Sequence, residues 1–288
     1  MDLILYNPKS KNSRSNVQTH RLVRYYKRNH IPFRLKSILK INDIKKFLNE
    51  KTLADQVILL GGDGTINRLV NNLVDVEVKQ TIYIKKNGSG NDYLRTLKLQ
   101  DEKPQTIMKA TLDNKEHHFI NGCGIGIDGL VIDYVDKAKS KGKLTYMLCT
   151  LRAMLNYEPD NIKCKIDDKN INFTKAYSVI IGNGQFFGGG MKITPKASIN
   201  DDNLDVIVIH SISKLMLIFV FLSVYLGLHT KLKKYVYYTK CKNIHVEYES
   251  PQIAQTDGEK FENVNQLNAT SSKHTIHLKQ YKKQTLKS

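Results

Sequence analysis

Apolar and polar residues follow two rhythms along this chain. In the first hundred residues, short apolar runs take turns with stripes of helical spacing. Leu3-Ile4-Leu5-Tyr6, Val57-Ile58-Leu59-Leu60 and Thr81-Ile82-Tyr83-Ile84 are long enough only for buried strands. Ile66, Leu69, Val70, Leu73 and Val74 recur at i, i+3, i+4, i+7 and i+8, the buried face of an amphipathic helix. The same reading places helices over residues 17–29, 42–50, 65–73, 92–97 and 104–112. Strand–helix alternation of this kind predicts a largely parallel sheet with helices on both faces. From about residue 118 strand signals dominate, at 162–166, 176–181, 205–210, 243–249 and 275–278, around one helix over 134–157. The predicted organisation is an α/β N-terminal domain over 1–120 and a β-rich, sandwich-like second domain over 121–288, with a ligand cleft between them. A return of the last segment to the first domain is left open. There are no internal repeats, and only the tail from about Lys282 reads as disordered.

Residues 215–228 form the one long apolar run. Its fourteen residues fall short of the ~20 that a spanning helix needs. It reads either as a buried core element or as a lipid-facing docking segment, helped by Lys231, Lys233 and Lys234 just after it. The net charge of +18 attracts polyanions, either nucleic acid or an anionic membrane surface. Part of that charge is a solvated, lysine-rich surface. No motif that reads bases and no basic–aromatic interleaving is present, so no specific nucleic-acid partner is predicted. The N-terminus lacks the basic and apolar regions of a signal peptide. Cys123, Cys149, Cys164 and Cys241 are widely spaced, which suggests neither zinc nor disulfides and points to the cytosol.

The candidate chemistry sits after the predicted strands. Gly61-Gly62-Asp63-Gly64-Thr65-Ile66-Asn67 joins a strand to a helix, the geometry that brings phosphate to backbone N–H groups. A carboxylate there repels phosphate unless a metal lies between them, so Asp63 suggests a metal–nucleotide site. Read blandly, Asp63 or Thr65 is only a helix cap. Asn7-Pro8-Lys9-Ser10-Lys11-Asn12-Ser13 and Gly88-Ser89-Gly90-Asn91-Asp92-Tyr93 follow two further strands. Ligands of open α/β sheets bind at the carboxyl ends of strands, so the three loops converge on one nucleotide. Lys9, Lys11 and Arg14 offer charge to phosphate. No Walker sequence and no protein-kinase signature occurs. Gly124-Ile125-Gly126-Ile127-Asp128-Gly129 matches the dinucleotide fingerprint literally, but it lies mid-chain with no acidic residue about twenty positions on. Asp201-Asp202-Asn203-Leu204-Asp205 lacks the glycine and distal Glu of a calcium loop. Asp257-Gly258-Glu259 alone reads as a hairpin turn.

Taken in order and spacing, six motifs carry a resemblance. They are Asn7-Pro8, the run 61–67, the run 88–95, the run 121–128, Gly188-Gly189-Gly190 with Pro195 and Ala197, and Asp257-Gly258-Glu259. The chain resembles, nearly end to end, the diacylglycerol-kinase catalytic family in its bacterial soluble lipid-kinase branch. The resemblance implies catalytic roles for Asp63 and for Glu259 or Asp257, one of which takes the proton from the lipid hydroxyl; Glu259 is the favoured base. It implies nucleotide contacts from Asn7, Lys9, Ser10, Lys11, Asn12, Ser13, Ser37, Gly62, Asp63, Gly64, Thr65, Asn67, Arg68, Ser89, Asn91 and Asp92. It also implies a structural magnesium held by the carbonyls of Ser198 and Asn203 and the carboxylate of Asp201. The resemblance further implies that the lipid site lies mainly in the second domain. Four positions depart from the family pattern. Lys11 replaces a glycine, Arg68 a Glu, Lys86 a Pro and Ser89 a Thr. Arg68, read as lying on the first turn of the nucleotide-site helix, sits where a carboxylate is favoured, at a cost of up to ~1 kcal/mol.

The resulting expectation is an ATP-dependent lipid kinase that phosphorylates a hydroxyl of diacylglycerol or a related membrane lipid, with ATP and Mg2+ as cofactors. Two rivals stand beside it. One is an NAD kinase-like small-molecule kinase, which shares the Gly-Gly-Asp-Gly loop. The other is a catalytically silent nucleotide- or lipid-binding protein, against which Asp63 and Asp257-Gly258-Glu259 weigh. The expected location is cytoplasmic, with peripheral contact to an anionic membrane; a homodimer is left open.

Overall fold

The computed structural model describes residues 1–8, 14–49, 56–74, 77–78, 80–87, 91–139 and 142–282. They belong to two compact units, Met1–Gln105 with His274–Ser288, and Thr106–Lys273. The first unit runs β1 (Asp2–Tyr6), α1 (Arg14–Arg28), β2 (Phe33–Ser37), α2 (Ile44–Asn49), β3 (Val57–Gly61), α3 (Asp63–Asn71), β4 (Ile82–Lys86) and α4 (Asp92–Leu99). The strands pair in parallel in the order β4-β3-β1-β2. All five residues of β3 are buried, the mark of a strand in the middle of a parallel sheet. Leu22 and Tyr26 of α1 pack on Ile4, Ile58 and Leu60, which explains the apolar runs.

The second unit begins with a correction. Residues 104–112, expected as a helix, form strand β5 (Gln105–Leu112), which pairs antiparallel with β6 (Lys115–Phe119). Between them Asp113 and Asn114 both take positive φ, 41° and 73°. Two such residues make the tight turn whose twist matches a hairpin. The expected helix over 134–157 is two helices. After β7 (Gly122–Gly126) come α5 (Ile127–Lys137) and α6 (Lys143–Asn156). Ala138 is already extended at ψ 140°, and Gly142 is the N-cap of α6. Then follow β8 (Asp160–Ile166), β9 (Lys169–Gly182), β10 (Leu204–His210), α7 (Lys214–Val224), β11 (Val236–Cys241), β12 (Asn243–Thr256) and β13 (Glu259–Ile276).

The antiparallel sheet runs β11-β10-β9-β7-β12-β13-β5-β6. Strand β8 pairs with both β9 and β12, as β7 does on the other side. The ring β9-β7-β12-β8 therefore closes into a small barrel, and closure removes unpaired strand edges. Cys123, Ile125, Cys164, Val179, Ile181 and Val246 belong to its buried core. Finally β14 (Leu278–Gln280) pairs in parallel with β4 of the first sheet. The architecture is thus a parallel α/β sheet followed by an antiparallel, β-rich unit.

Helix α7 corrects the buried-core reading of residues 215–228. Leu217, Val220, Phe221 and Val224 are buried, but Leu215, Phe219, Leu222 and Leu226 are exposed.

Candidate functional site

Parallel strands end on one edge, and the first unit gathers its candidate residues there. Asn7 follows β1, Ser37 closes β2, Gly61 ends β3 with Gly62 to Asn67 after it, and Asn87, Asn91 and Asp92 follow β4. The Asn7 side-chain amide donates to Thr65 Oγ1 at 3.2 Å. The Asn87 backbone N–H donates to the Gly61 carbonyl at 3.1 Å. Asp63 makes a double link. Its Oδ2 accepts the Asp92 N–H at 2.9 Å and its Oδ1 accepts the Tyr93 N–H at 3.1 Å. Helix α4 is thus capped by a carboxylate from another element, while its own N-cap residue, Asn91, makes no side-chain cap bond. First-turn N–H groups have no partner within their helix, and a negative group also complements the helix dipole.

The glycines of the run differ in purpose. A Cβ on Gly61 would meet the Thr65 side chain at 2.6 Å. At Gly64 nothing lies within 4 Å of that position. Gly64 therefore has no packing reason among the described residues, and its backbone is open to a close-lying ligand. Ser37 is buried, and its Oγ accepts the Leu39 N–H at 3.3 Å. The Asn67 side chain accepts from the Asn71 amide at 3.1 Å. Arg68 is exposed in the last turn of α3, because the helix already begins at Asp63. There a cation complements the dipole, so the cost expected from the sequence is absent. Lys9, Ser10, Lys11, Asn12, Ser13 and Ser89 lie outside the described residues, and so does the side chain of Arg14. Sequence reading missed Asn87, which is 2% exposed with neither amide atom partnered among the described residues.

In the second unit, Asp257 and Gly258 form the turn between β12 and β13, with φ of 46° and 87°. The Asp257 carboxylate accepts the N–H groups of Ile120, Asn121 and Gly122 at 2.8, 2.9 and 3.0 Å. It ties the turn to the link between β6 and β7. Glu259, two residues on, is exposed at the start of β13. It faces His117, also missed from the sequence. Burial pushes the His117 pKa down, and the Glu259 charge pulls it back up. The His117 ring packs on Phe261 at 4.3 Å between centroids.

Helices α5, α6 and α7 and strands β9 and β10 enclose a pocket within this unit. Its walls are apolar, with Val131, Met154, Ile180, Ile207 and Phe221 among them; Asp128, Thr150, Ser178 and His229 are its polar lining. The Thr150 hydroxyl donates to the Tyr146 carbonyl at 2.8 Å. His229 Nε2 lies 2.8 Å from the Ile193 carbonyl, which can only accept, so Nε2 carries the proton. Burial pushes the His229 pKa down, and Nδ1 is left as a buried acceptor without a partner among the described residues. Asp128 accepts from Gln255 Nε2 at 2.6 Å. Burial pushes its carboxyl up to about 6, although the Gln255 bond works the other way.

This geometry also accounts for the literal dinucleotide match. A Cβ on Gly124 would sit 2.1 Å from Asp128 Oδ2, and one on Gly129 would sit 2.1 Å from the Ile253 carbonyl. The glycines make room for a buried carboxylate and for the passage of α5 over β12. Gly188, Gly189 and Gly190 all take positive φ in the turn bridged by Phe187 and Met191, and Met191 lines the pocket.

The proposed magnesium residues share one loop before β10. Ser198 Oγ accepts the Asn200 N–H at 3.3 Å and Asp201 Oδ1 accepts the Asn203 N–H at 2.9 Å. Among the described residues no three His, Cys, Asp or Glu side chains gather for a metal. One carboxylate and two backbone carbonyls remain an oxygen-only donor set, the chemistry that magnesium takes.

Comparison with known proteins agrees with this architecture. Residues 2–121 match the diacylglycerol kinase catalytic domain, and residues 122–272 match the YegS C-terminal NAD kinase beta sandwich-like domain. The chain belongs to the diacylglycerol kinase catalytic family, in the form that carries this C-terminal domain. It is 28% identical over 221 residues to a diacylglycerol kinase of Bacillus subtilis (strain 168), covering 71% of each chain. It is 25% identical over 209 residues to a diacylglycerol kinase of Mycobacterium tuberculosis (strain CDC 1551 / Oshkosh), covering 67% of each. A solved diacylglycerol kinase structure from Bacillus anthracis str. Sterne superposes with a TM-score of 0.64 at 20% identity, over 96% of this chain and 95% of that one, which speaks for the fold. No helix among the described residues is long and apolar enough to cross a membrane.

Proposed function

We infer that this chain is an ATP-dependent kinase acting on a hydroxyl of diacylglycerol or a related membrane lipid. The pocket of the second unit carries the reading. Its walls suit a hydrocarbon chain, and its few polar groups suit the hydroxyl or ester end of a lipid. Asp128 offers a polar contact there. A hydrophilic nucleotide acceptor would leave those walls without complementary groups.

The nucleotide belongs at the strand ends of the first unit. Gly64 lets phosphate lie against the backbone, and Asn7, Thr65 and Asp92 stand around it. Lys9, Lys11 and Ser89 are assigned to the same task by their loops. Asp63 holds two of these loops in register and contributes charge at the phosphates. Phosphoryl transfer asks for positioning and charge stabilisation rather than covalent help. Magnesium bound with the nucleotide would neutralise phosphate charge, and a second ion at Ser198, Asp201 and Asn203 would brace the loop before β10. Glu259 takes the proton from the lipid hydroxyl as it attacks; Asp257 keeps the turn in place. The work is done at the cytoplasmic membrane face, where the +18 charge favours anionic lipid.

Transfer of radiolabelled phosphate from ATP to a panel of extracted membrane lipids, resolved by chromatography, tests the reading. A labelled lipid identifies the acceptor. Labelling of NAD instead, or of nothing with Mg2+ present, would sink it.

A further inference from the structure

Helix α7 has no polar face. Between Lys214 and Val224 its only other polar side chain is Ser223, whose hydroxyl donates back to the Val220 carbonyl at 2.6 Å. A helix apolar all round is normally buried all round. This one is buried on one side only. Leu217, Val220, Phe221 and Val224 line the pocket. Leu215, Phe219 and Leu222 recur at i, i+4 and i+7 along the opposite side, Leu226 follows in the turn after the helix, and Leu215 and Leu226 are 80% and 71% exposed. Helix α6 adds a second exposed stripe of Leu144, Leu148 and Leu155. Helices α6 and α7 are joined where Lys214 Nζ donates to the Leu155 carbonyl at 2.8 Å. Isolated exposed leucines need no explanation, but a double stripe on packed helices marks a surface made to be covered.

Charge identifies what covers it. The turn after α7 packs against the helix and leads into Lys231, Lys233 and Lys234, all exposed. An apolar stripe ending in lysines matches a bilayer surface with anionic headgroups. A second copy of the chain would bring like charges together. At eleven residues α7 is about 16 Å long, too short to span a bilayer and long enough to lie in its surface.

We propose that α7 is an interfacial helix that inserts its outer stripe into the anionic membrane while its inner side forms the pocket wall. The helix is then the partition between bilayer and lipid site, and substrate passes around it without crossing water. This rests on the lipid-kinase reading for the identity of the pocket's occupant.

The chain has no tryptophan, so Phe219→Trp places a single emitter on the stripe. The full-length variant is mixed with phosphatidylcholine vesicles containing phosphatidylglycerol, with and without brominated acyl chains. Blue-shifted emission, quenched by the brominated lipid, is expected. A Leu215→Gln, Leu222→Gln, Leu226→Gln variant should bind these vesicles at least about tenfold more weakly at an unchanged melting temperature. It should phosphorylate a water-soluble short-chain diacylglycerol at the unmodified rate and vesicle-embedded substrate more slowly. Three outcomes overturn the proposal: vesicle-bound Phe219→Trp protein whose indole emission stays that of water, a blue shift that grows with protein concentration without vesicles, or wild-type binding by the triple variant. If α7 inserts and no lipid is phosphorylated, the kinase reading fails and this one stands. If short-chain lipid is phosphorylated and α7 stays in water, the reverse holds.

Discussion

Asp63 in the first unit and Asp257 in the second are held in the same way. Each carboxylate accepts backbone N–H groups from a remote segment, 29 and 30 residues away for Asp63 and 135 to 137 for Asp257. The segments differ. The amides at Asp63 open a helix, so the carboxylate also meets the positive end of a dipole at an edge where phosphate is proposed to bind. The amides at Asp257 belong to a link between strands, and the exposed carboxylate stands two residues further on, at Glu259. On the proposed roles, one residue of the first unit would combine scaffold and chemistry, while in the second the two tasks would be divided between neighbours.

The sharpest way to break this comparison is to neutralise both members of the second pair. Glu259→Gln should lower turnover by about 10²–10⁴ with little change in ATP affinity or melting temperature, since general-base loss has that size. Asp257→Ala should instead lower stability by about 3 kcal/mol, because three N–H groups lose a charged acceptor. Turnover and thermal unfolding of both variants decide the matter. A folded Asp257→Ala enzyme that is more impaired than Glu259→Gln would reverse the roles.

A buried carboxylate without such amides should behave differently with pH. The Asp128 carboxyl titrates near 6 in the folded chain, above its ordinary value of 3.8. Its contribution is therefore fully present below about pH 4 and lost as pH rises through 6, so the group opposes folding at pH 7 by roughly 1–3 kcal/mol. Denaturant unfolding between about pH 4 and 6.5 should show this slope, and Asp128→Asn should flatten it.

Asp63→Asn should remove most kinase activity, on the order of 10² or more, if the carboxylate charge serves the phosphates. The same change leaves one amide oxygen for two N–H groups and should cost about 1–2 kcal/mol. Activity above about a tenth of wild type would leave Asp63 with the cap alone. The smallest change is Gly64→Ala. Among the described residues nothing stands where the methyl group would go, and a helical alanine should leave stability unchanged or raise it by up to ~1 kcal/mol. Nucleotide affinity should nevertheless fall about tenfold, because phosphate needs that backbone; calorimetric titration with ATP and thermal unfolding read the two effects.

The elements legible in the sequence are those whose pattern is local. The buried runs of β1, β3 and β4 and the stripe of α3 announce themselves within ten residues. The long antiparallel strands do not. In β13, eighteen residues mostly half-buried or exposed carry no clean alternation, because its pairing with β12 shifts register. Strand β5 passes for a helix because Ile107, Met108 and Leu112 also fit a helical stripe; the Asp113-Asn114 turn is the signal that separates the two. Two of the three candidate loops are marked by glycines after strands, and the first, residues 7–13, only by its polar residues. What Asp63 touches is not marked, since a contact with residues 92 and 93 leaves no periodic trace. Nor is the pocket, whose walls come from five elements.

Strand β14 gives the chain an awkward birth. The edge of β4 that it covers is made 192 residues earlier, counting from Lys86 to Leu278. At ~5–20 residues per second, a ribosome leaves that edge bare for roughly 10–40 s while the whole barrel emerges. An open parallel edge is a template for stray pairing. Nascent chains should therefore lean on holding factors until β14 appears, and a frameshift just before it should yield aggregates rather than a merely shortened protein.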